Sequence, residues 1–237
     1  MSAPLRVLFV APYIPSLVRV RPYQWIRALK RLGHHVHVVA LRPPEDRWAD
    51  VDGLRAVCDT VDVFDLTRQQ TLVNAARAVL TGAPLQAAYA THTDAARRIG
   101  ELAGSGRFDV VHIEHLRGVA LAGDVRAIPV VYDAVDSITG LFEQAAVQAP
   151  GRSHRLMATL DLARTRRFEA KVPFRFDRTL VTSHAEAETF VRLAGPAATG
   201  RLAVLPNGVD LEYFRPAAAP PASSEAPRIL LSGKMSY

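Results

Sequence analysis

The chain has 237 residues, 49% of them apolar and 22% charged, with a formal net charge of +6. That balance excludes a disordered polymer and is ample for a buried core, in one large domain or two small ones. The single cysteine, Cys58, excludes a disulfide framework and reads as a small core residue.

In chain order, Leu5 to Ala11 is a near-continuous apolar run, as expected of a buried parallel strand. It is too short to span a bilayer, and Pro12 and Pro15 follow with no cleavage pattern, so neither signal peptide nor anchor is read. A loop through Arg21 leads to a helix from about Pro22, with Trp25, Ile26, Leu29 and Leu32 as its apolar stripe and Gly33 as its stop. Residues 35–41 form a second strand, which completes a βαβ unit. Shorter strand candidates fill 53–66, and helices follow at about 68–80 and 91–103. Strands are then expected at 108–113, 128–133, 178–182 and 201–205, with helices after Leu116 and at about 137–147, 154–172 and 184–194. Ser183 stands as the cap of the last helix, with Glu186 in capping-box position. This alternation specifies an α/β fold, a doubly wound parallel sheet with helices on both faces. Ligands in such sheets gather at the carboxyl ends of the strands.

There is no glycine between Met1 and Arg31, so the first turn cannot carry the Gly-x-Gly-x-x-Gly fingerprint of a dinucleotide site. It offers Arg19 and Arg21 instead, loop guanidiniums able to bind phosphate or carboxylate. The end of the 108–113 strand presents His112-Ile-Glu-His115. There Glu114 and His115 lie beyond the strand as candidates to orient or deprotonate a hydroxyl, and His112 reads as a packed, hydrogen-bonded core histidine. Asp133 and Asp136 end the next strand. They have metal-capable chemistry but no further ligand cluster, so no metal site is assigned. Asp133 remains a candidate to bind ligand hydroxyls, while Asp136 or Ser137 is expected to cap the next helix. Ser183 opens a helix N-terminus, which favours anions. Between Arg152 and Arg178 eight basic residues face three acidic ones, a basic surface whose phenylalanines, Phe168, Phe174 and Phe176, look like core anchors. The aromatics there do not interleave as nucleic-acid binding requires.

The last landmark is Leu202-Ala-Val-Leu-Pro-Asn-Gly-Val-Asp-Leu-Glu-Tyr-Phe-Arg-Pro216. A short apolar strand stops at Pro206, Asn207-Gly208 is a strong turn signal, and Asp210 can accept from nearby amides. An Ala/Pro/Ser-rich stretch and a new strand-like run, Arg228 to Gly233, come next. Pro206-Asn-Gly-Val-Asp210 with Tyr213-Phe-x-Pro216 closely resembles the interdomain joint of glycosyltransferase family 4-like, GT-B enzymes. Asp177 and Gly233 also match. The resemblance implies a Rossmann-like acceptor-side domain over 1–214, a linker over 215–227, and over 228–237 the first strand of a donor-binding domain that this chain lacks. The interdomain joint would be Asn207, Gly208, Asp210 and Gly233.

By the same resemblance the activity would be sugar transfer, with retention, from a nucleotide-diphosphate sugar to an acceptor hydroxyl. Glu114 and His115 would be catalytic, and Arg19, Arg21, Asp133 and Ser183 would bind acceptor or substrate. No cofactor or metal is implied beyond the donor, usually a uridine- or guanosine-diphosphate sugar, and the chain alone would be inactive. The acceptor would be a glycan, a lipid-linked sugar or a small molecule. The protein would be cytoplasmic, with peripheral contact at the inner face of a membrane through 152–178, and would not bind nucleic acid. A GT-B nucleotide-sugar epimerase half and a non-catalytic binding module are the other readings. Exchanging Arg19 or Arg21 for alanine is expected to weaken acceptor capture more than the fold.

Overall fold

The computed structural model describes residues 3–123, 125–148 and 152–215. The expected linker beyond 215 and the strand 228–237, with Gly233, lie outside the described residues. One compact unit extends to Asn207, and a second begins at Gly208.

The first unit carries seven parallel strands: β1 (Arg6–Ala11), β2 (His35–Arg42), β3 (Thr60–Asp65), β4 (Val110–Glu114), β5 (Val130–Val135), β6 (Arg178–Val181) and β7 (Leu202–Val204). Their order is β3-β2-β1-β4-β5-β6-β7. The chain winds outward from β1 in one direction, then returns and winds in the other. The switch lies between β1 and β4. Side chains alternate across the sheet. Leu8, Val10, Val111 and Ile113 meet α5 (Thr93–Gly104) and α6 (His115–Ala122) on one face. Phe9, Ala11, Val36 and Val38 meet α1 (Val20–Arg31) and α2 (Trp48–Arg55) on the other.

Local chemistry explains most boundaries. Gly33, at φ +84°, ends α1, with the His34 amide donating to Leu29 O at 3.0 Å. Leu32, expected in the apolar stripe, lies just past the helix and is exposed, so the stripe that seats α1 ends at Leu29. Thr67 caps α3 (Arg68–Thr81): it accepts from the Gln70 amide at 3.2 Å, and the Gln70 side chain accepts from the Thr67 amide at 2.9 Å. Two helices were not anticipated. In α2, Val51 and Leu54 face inward on one helical turn, where strands had been expected from residue 53. The single turn α4 (Leu85–Ala88) is seated by Asp161, whose carboxylate accepts from the Leu85 amide at 2.8 Å. The stretch 137–147 is α7 (Ile138–Gln148), and 154–172 divides into α8 (Arg152–Glu169) and α9 (Val172–Arg175). Helix α10 spans His184–Ala194. Cys58 is half-buried and donates to Leu54 O at 3.1 Å. Burial and the adjacent Asp59 push its thiol up to about 11.

At the amino edge one device occurs three times. Asp59, Asp109 and Asp177 each immediately precede a strand and clasp the first turn of a neighbouring strand at both polar groups of one residue. Asp109 N–H donates to Arg6 O at 2.9 Å while its carboxylate accepts from Arg6 N at 2.7 Å. Asp59 does the same with Val36 (3.0 and 2.7 Å), and Asp177 with Val130 (3.0 and 2.8 Å).

In the second unit Asp210 nucleates a turn, its carboxylate accepting from the amides of Glu212 and Tyr213, both at 3.1 Å. The turn expected at Asn207-Gly208 is not formed: neither residue takes a positive φ.

Candidate active site at the carboxyl edge

Glu114 is the last residue of β4 and is 1% exposed, whereas the sequence reading placed it beyond the strand. The apolar run ends at Ile113, but the pairing continues, with Glu114 opposite Asp133 of β5. Alternation turns both His112 and Glu114 toward α1. His112 stacks on Phe9 at 4.3 Å between ring centres and leans on Trp25 at 5.7 Å. Its expected hydrogen bond is missing. Nε2 faces Glu114 Oε2 at 3.7 Å, beyond hydrogen-bond reach, and neither atom has another partner among the described residues. Glu114 Oε1 accepts from Tyr13 OH at 3.1 Å. Burial pushes the Glu114 carboxyl above its ordinary range and Asp133 adds to this, with His112 and Tyr13 pulling back. Burial and Glu114 likewise hold the Tyr13 phenol well above its usual value.

Arg21 is the main correction to the loop reading. It lies in the first turn of α1, not in a solvated loop, and its side chain is 9% exposed. Its fork grips Asp133, which is fully buried: Nε to Oδ2 at 2.9 Å and Nη2 to Oδ1 at 3.1 Å. Nη1 donates to Leu205 O at 3.2 Å and Asn207 Oδ1 at 2.8 Å. One guanidinium therefore ties α1, the end of β5 and the segment leaving β7. Arg19, just before the helix, sits over the Tyr13 ring at 4.7 Å and 3.9 Å from Asp46, with its side chain still 37% exposed.

The two positive-φ residues other than glycine among the described residues, His115 at +61° and Val135 at +64°, stand at the ends of β4 and β5. For a β-branched valine this is a true outlier. It coincides with the register shift between β5 and β6, where Val135 N donates to Asp133 Oδ1 at 3.1 Å. Backbone strain at two adjacent strand ends marks a place where side chains are being aimed. His115 is partly exposed, and its Nδ1 accepts from the Arg117 amide at 3.3 Å. That bond assigns the ring proton to Nε2. Burial, with Arg117 and Arg19 nearby, lowers its pKa to about 4. At neutral pH His115 is an uncharged hydrogen-bond donor. Gly118 lets α6 lie close: a Cβ there would stand 3.1 Å from Ile113 Cγ2 and 3.6 Å from Pro12.

The helix starts at this edge are filled by the protein's own carboxylates. Ser183 does cap α10, accepting from the Glu186 amide at 3.2 Å. The Glu186 side chain, expected to complete that capping box, accepts instead from Ser137 N at 2.6 Å. Ser137 caps α7, accepting from Gly140 N at 3.1 Å, while Asp136 accepts from Thr182 Oγ1 at 3.1 Å. Glu169 accepts from Ser137 Oγ, Ile138 N and Thr139 N at 2.8 to 3.0 Å. Burial raises its pKa despite those donors. Tyr13 and Glu169 went unnoticed in the sequence, and Glu186 was given the wrong partner, because their true partners are 30 to 101 residues away.

His112, Glu114 and Asp133 bring three candidate ligand atoms within 4.8 Å of one another, a cluster the sequence reading did not find. Arg21 already engages both Asp133 oxygens and supplies the counter-charge there. Of the basic stretch, Arg166 pairs with Glu143, and the side chains of 152–160 lie outside the described set. Phe176 is buried as expected, but Phe174 is 52% exposed and anchors no core.

Residues 18–213 match the family model described as Glycosyltransferase Family 4. The chain belongs to Glycosyltransferase Family 4. A comparison with curated proteins found no match. Among solved structures, Phytolacca americana UGT2 complexed with UDP-2fluoro-glucose and pterostilbene aligns at 14% identity with a TM-score of 0.50, covering 87% of this chain and 54% of that one. The apo form of the same protein aligns at 12% identity and the same score, over 87% and 52%. At such identity the likeness shows the fold: the sheet is Rossmann-like and matches that of GT-B glycosyltransferases. The family 4 domain described here thus spans about half the length of the structures it resembles. No helix among its described residues is long and apolar enough to cross a membrane.

Proposed function

We propose that this family 4 domain forms the acceptor side of a retaining glycosyltransferase that moves a sugar from a nucleotide-diphosphate donor to an acceptor hydroxyl, with the donor held by a second domain. The observation that carries the reading is the convergence, at the carboxyl edge of β4 and β5, of two strained residues and the buried Tyr13–Glu114–His112 cluster. Arg19 and the Nε2–H of His115 are the groups that meet the acceptor, one as a charge and one as a neutral donor. Glu114 acts through Tyr13, and Arg21 with Asp133 as a frame, so both are positioning residues. Ser183 closes the wall beyond β6. The proposal assigns no metal ligand and no cofactor, because Arg21 neutralises Asp133. It sets the reaction on the cytoplasmic side. The peripheral contact through 152–178 stays part of it, and nucleic acid does not. Asn207 and Asp210 belong to the joint, with the domain boundary near 214.

Such a reaction needs two walls to position the anomeric carbon and exclude water. The test is transfer from uridine- and guanosine-diphosphate sugars, measured for the chain alone and for the chain joined to a donor-binding domain. Turnover is expected only when the two are joined. Micromolar binding of either donor to the chain alone, by calorimetry, would overturn the division of labour. Epimerised donor in place of transferred sugar would overturn the transferase reading.

A further inference from the structure

Helix α3 is built inside out. At 3.6 residues per turn, Leu72, Val73, Ala76, Val79 and Leu80 fall on one arc of about 120°. All five are exposed, Leu72 at 72% and Leu80 at 87%. The residues α3 buries, Asn74 and Ala78, lie on the opposite side. Asn74 Nδ2 donates to Tyr89 O at 3.2 Å and Thr91 O at 2.8 Å, which fixes the polar side inward. An ordinary amphipathic helix turns its apolar arc to the core. This one turns it to solvent.

The charge around the arc is one-sided. Arg68 and Arg77 flank it, one on each edge, and Gln69 is its polar member at the N-terminal end. From Leu66 to Thr93 there is no acidic residue. Across from the C-terminal turn, Arg164 of α8 donates to Val79 O at 3.5 Å. Beside it opens a cleft of about 590 Å³ with Ala87, Val119 and Phe168 among its apolar lining and Arg167 and Lys171 among its cations. Among the described residues no salt bridge engages Arg77, Arg164, Arg167 or Lys171.

We propose that α3 is an interfacial helix that docks the domain on a bilayer of anionic lipids. Leu72, Val73, Val79 and Leu80 enter the boundary between headgroups and acyl chains, while Arg68, Arg77 and Arg164 meet lipid phosphates. A protein partner fits less well. Protein hot spots centre on Trp, Tyr and Arg anchors seated in pockets, whereas this face is convex and aliphatic and has no aromatic residue. A helix with aliphatic side chains on one arc and arginines at its rims, rather than acids, is what interfacial binding requires. The apolar arc and the cations also supply the two weak signals that together anchor a protein stably. This surface is separate from the carboxyl-edge site; it adjoins the 152–178 contact proposed above, sharing Arg164 with it, but its apolar part is helix α3 alone.

The test is sedimentation of the 237-residue chain with vesicles of phosphatidylcholine alone and of phosphatidylcholine mixed with phosphatidylglycerol, with no donor or acceptor present. Binding is expected to the mixed vesicles only. Leu72→Gln/Leu80→Gln should reduce it about tenfold or more, and Arg68→Gln/Arg77→Gln should weaken it at low salt and flatten its remaining dependence on salt. Both double variants should melt with the wild type, since they change exposed groups. No binding by the wild type overturns the proposal. So does full binding by the leucine variant, which would place the contact elsewhere. A dimer in solution that the leucine variant dissolves would assign the face to a second copy and overturn it equally.

Discussion

The two ends of the sheet solve opposite problems. At the amino edge three aspartates, each just before a strand, repeat one local clasp on Arg6, Val36 and Val130, largely in contact with water. At the carboxyl edge nothing repeats. Arg21 holds Asp133, Glu114 holds Tyr13, Glu169 holds the start of α7, and two residues other than glycine sit at positive φ. The carboxylates differ accordingly. Asp59 and Asp109 are held below their ordinary range by hydrogen bonds and cations, while burial raises Glu114 and Glu169. Repetition with satisfied charges is how a sheet is stabilised. Irregularity with unsatisfied buried groups is the pattern of a site.

The largest effect that would break this contrast is at Arg21. Arg21→Ala leaves the Asp133 carboxylate buried without its counter-charge, which typically costs about 3–5 kcal/mol. Denaturant unfolding should show the loss, and Arg21→Lys should recover only part of it, because an ammonium cannot reproduce the fork. This reverses the expectation for a loop arginine. A variant that unfolds with the wild type would return Arg21 to the solvent side. Next comes Glu169→Ala, which strands three donors at the start of α7 and should cost about 2–3 kcal/mol. Arg19→Ala sharpens the contrast from the other side. It should change stability by no more than about 0.5 kcal/mol while raising the acceptor KM of the joined enzyme. Unchanged kinetics would assign Arg19 to the packing of Tyr13.

Much of this fold was legible because strands and helices announce themselves locally. β1, β2, β4, β5 and β6 are apolar runs with proline or glycine nearby, and the caps at Gly33 and Ser183 are short-range chemistry. The site was legible only as residue types. His112, Glu114, Asp133 and Arg21 were all visible, but the geometry that gives them roles is a strand pairing and a salt bridge across 112 residues. An apolar-run criterion ended β4 one residue early, and Glu114 was placed beyond the strand when it is the strand's last, buried residue. Helix α3 stands where a helix was expected at 68–80, but its orientation was not legible. Its apolar residues have helical spacing, and spacing says which residues share a face without saying which way the face points.

Smaller effects belong to the amino edge. Asp177→Ala removes the acceptor for the Val130 amide and should cost about 1 kcal/mol, with transfer by the joined enzyme untouched. Smallest of all at neutral pH should be Asp59→Asn and Asp109→Asn, since the amide oxygen can still accept from Val36 or Arg6 and only the charge is lost. Their signature is in acid. Lys30 and the Val36 amide lower the Asp59 pKa, and Arg6 lowers that of Asp109. A carboxylate whose folded pKa is depressed contributes stability that is present above its unfolded pKa, near 3.9, and is lost as pH falls through the folded value. Wild type and the asparagine variants should therefore differ at pH 7 and converge below that window. The carboxyl edge pulls the other way. Glu114 and Glu169, with raised folded pKa values, favour the fold most below the unfolded value, and that contribution fades as pH rises through the folded one. Stability against pH, measured for the wild type and both variants, separates the two ends. If the gap between wild type and variants stays constant from pH 7 down through pH 3, the clasps act through hydrogen bonds alone and the electrostatic half of the contrast fails.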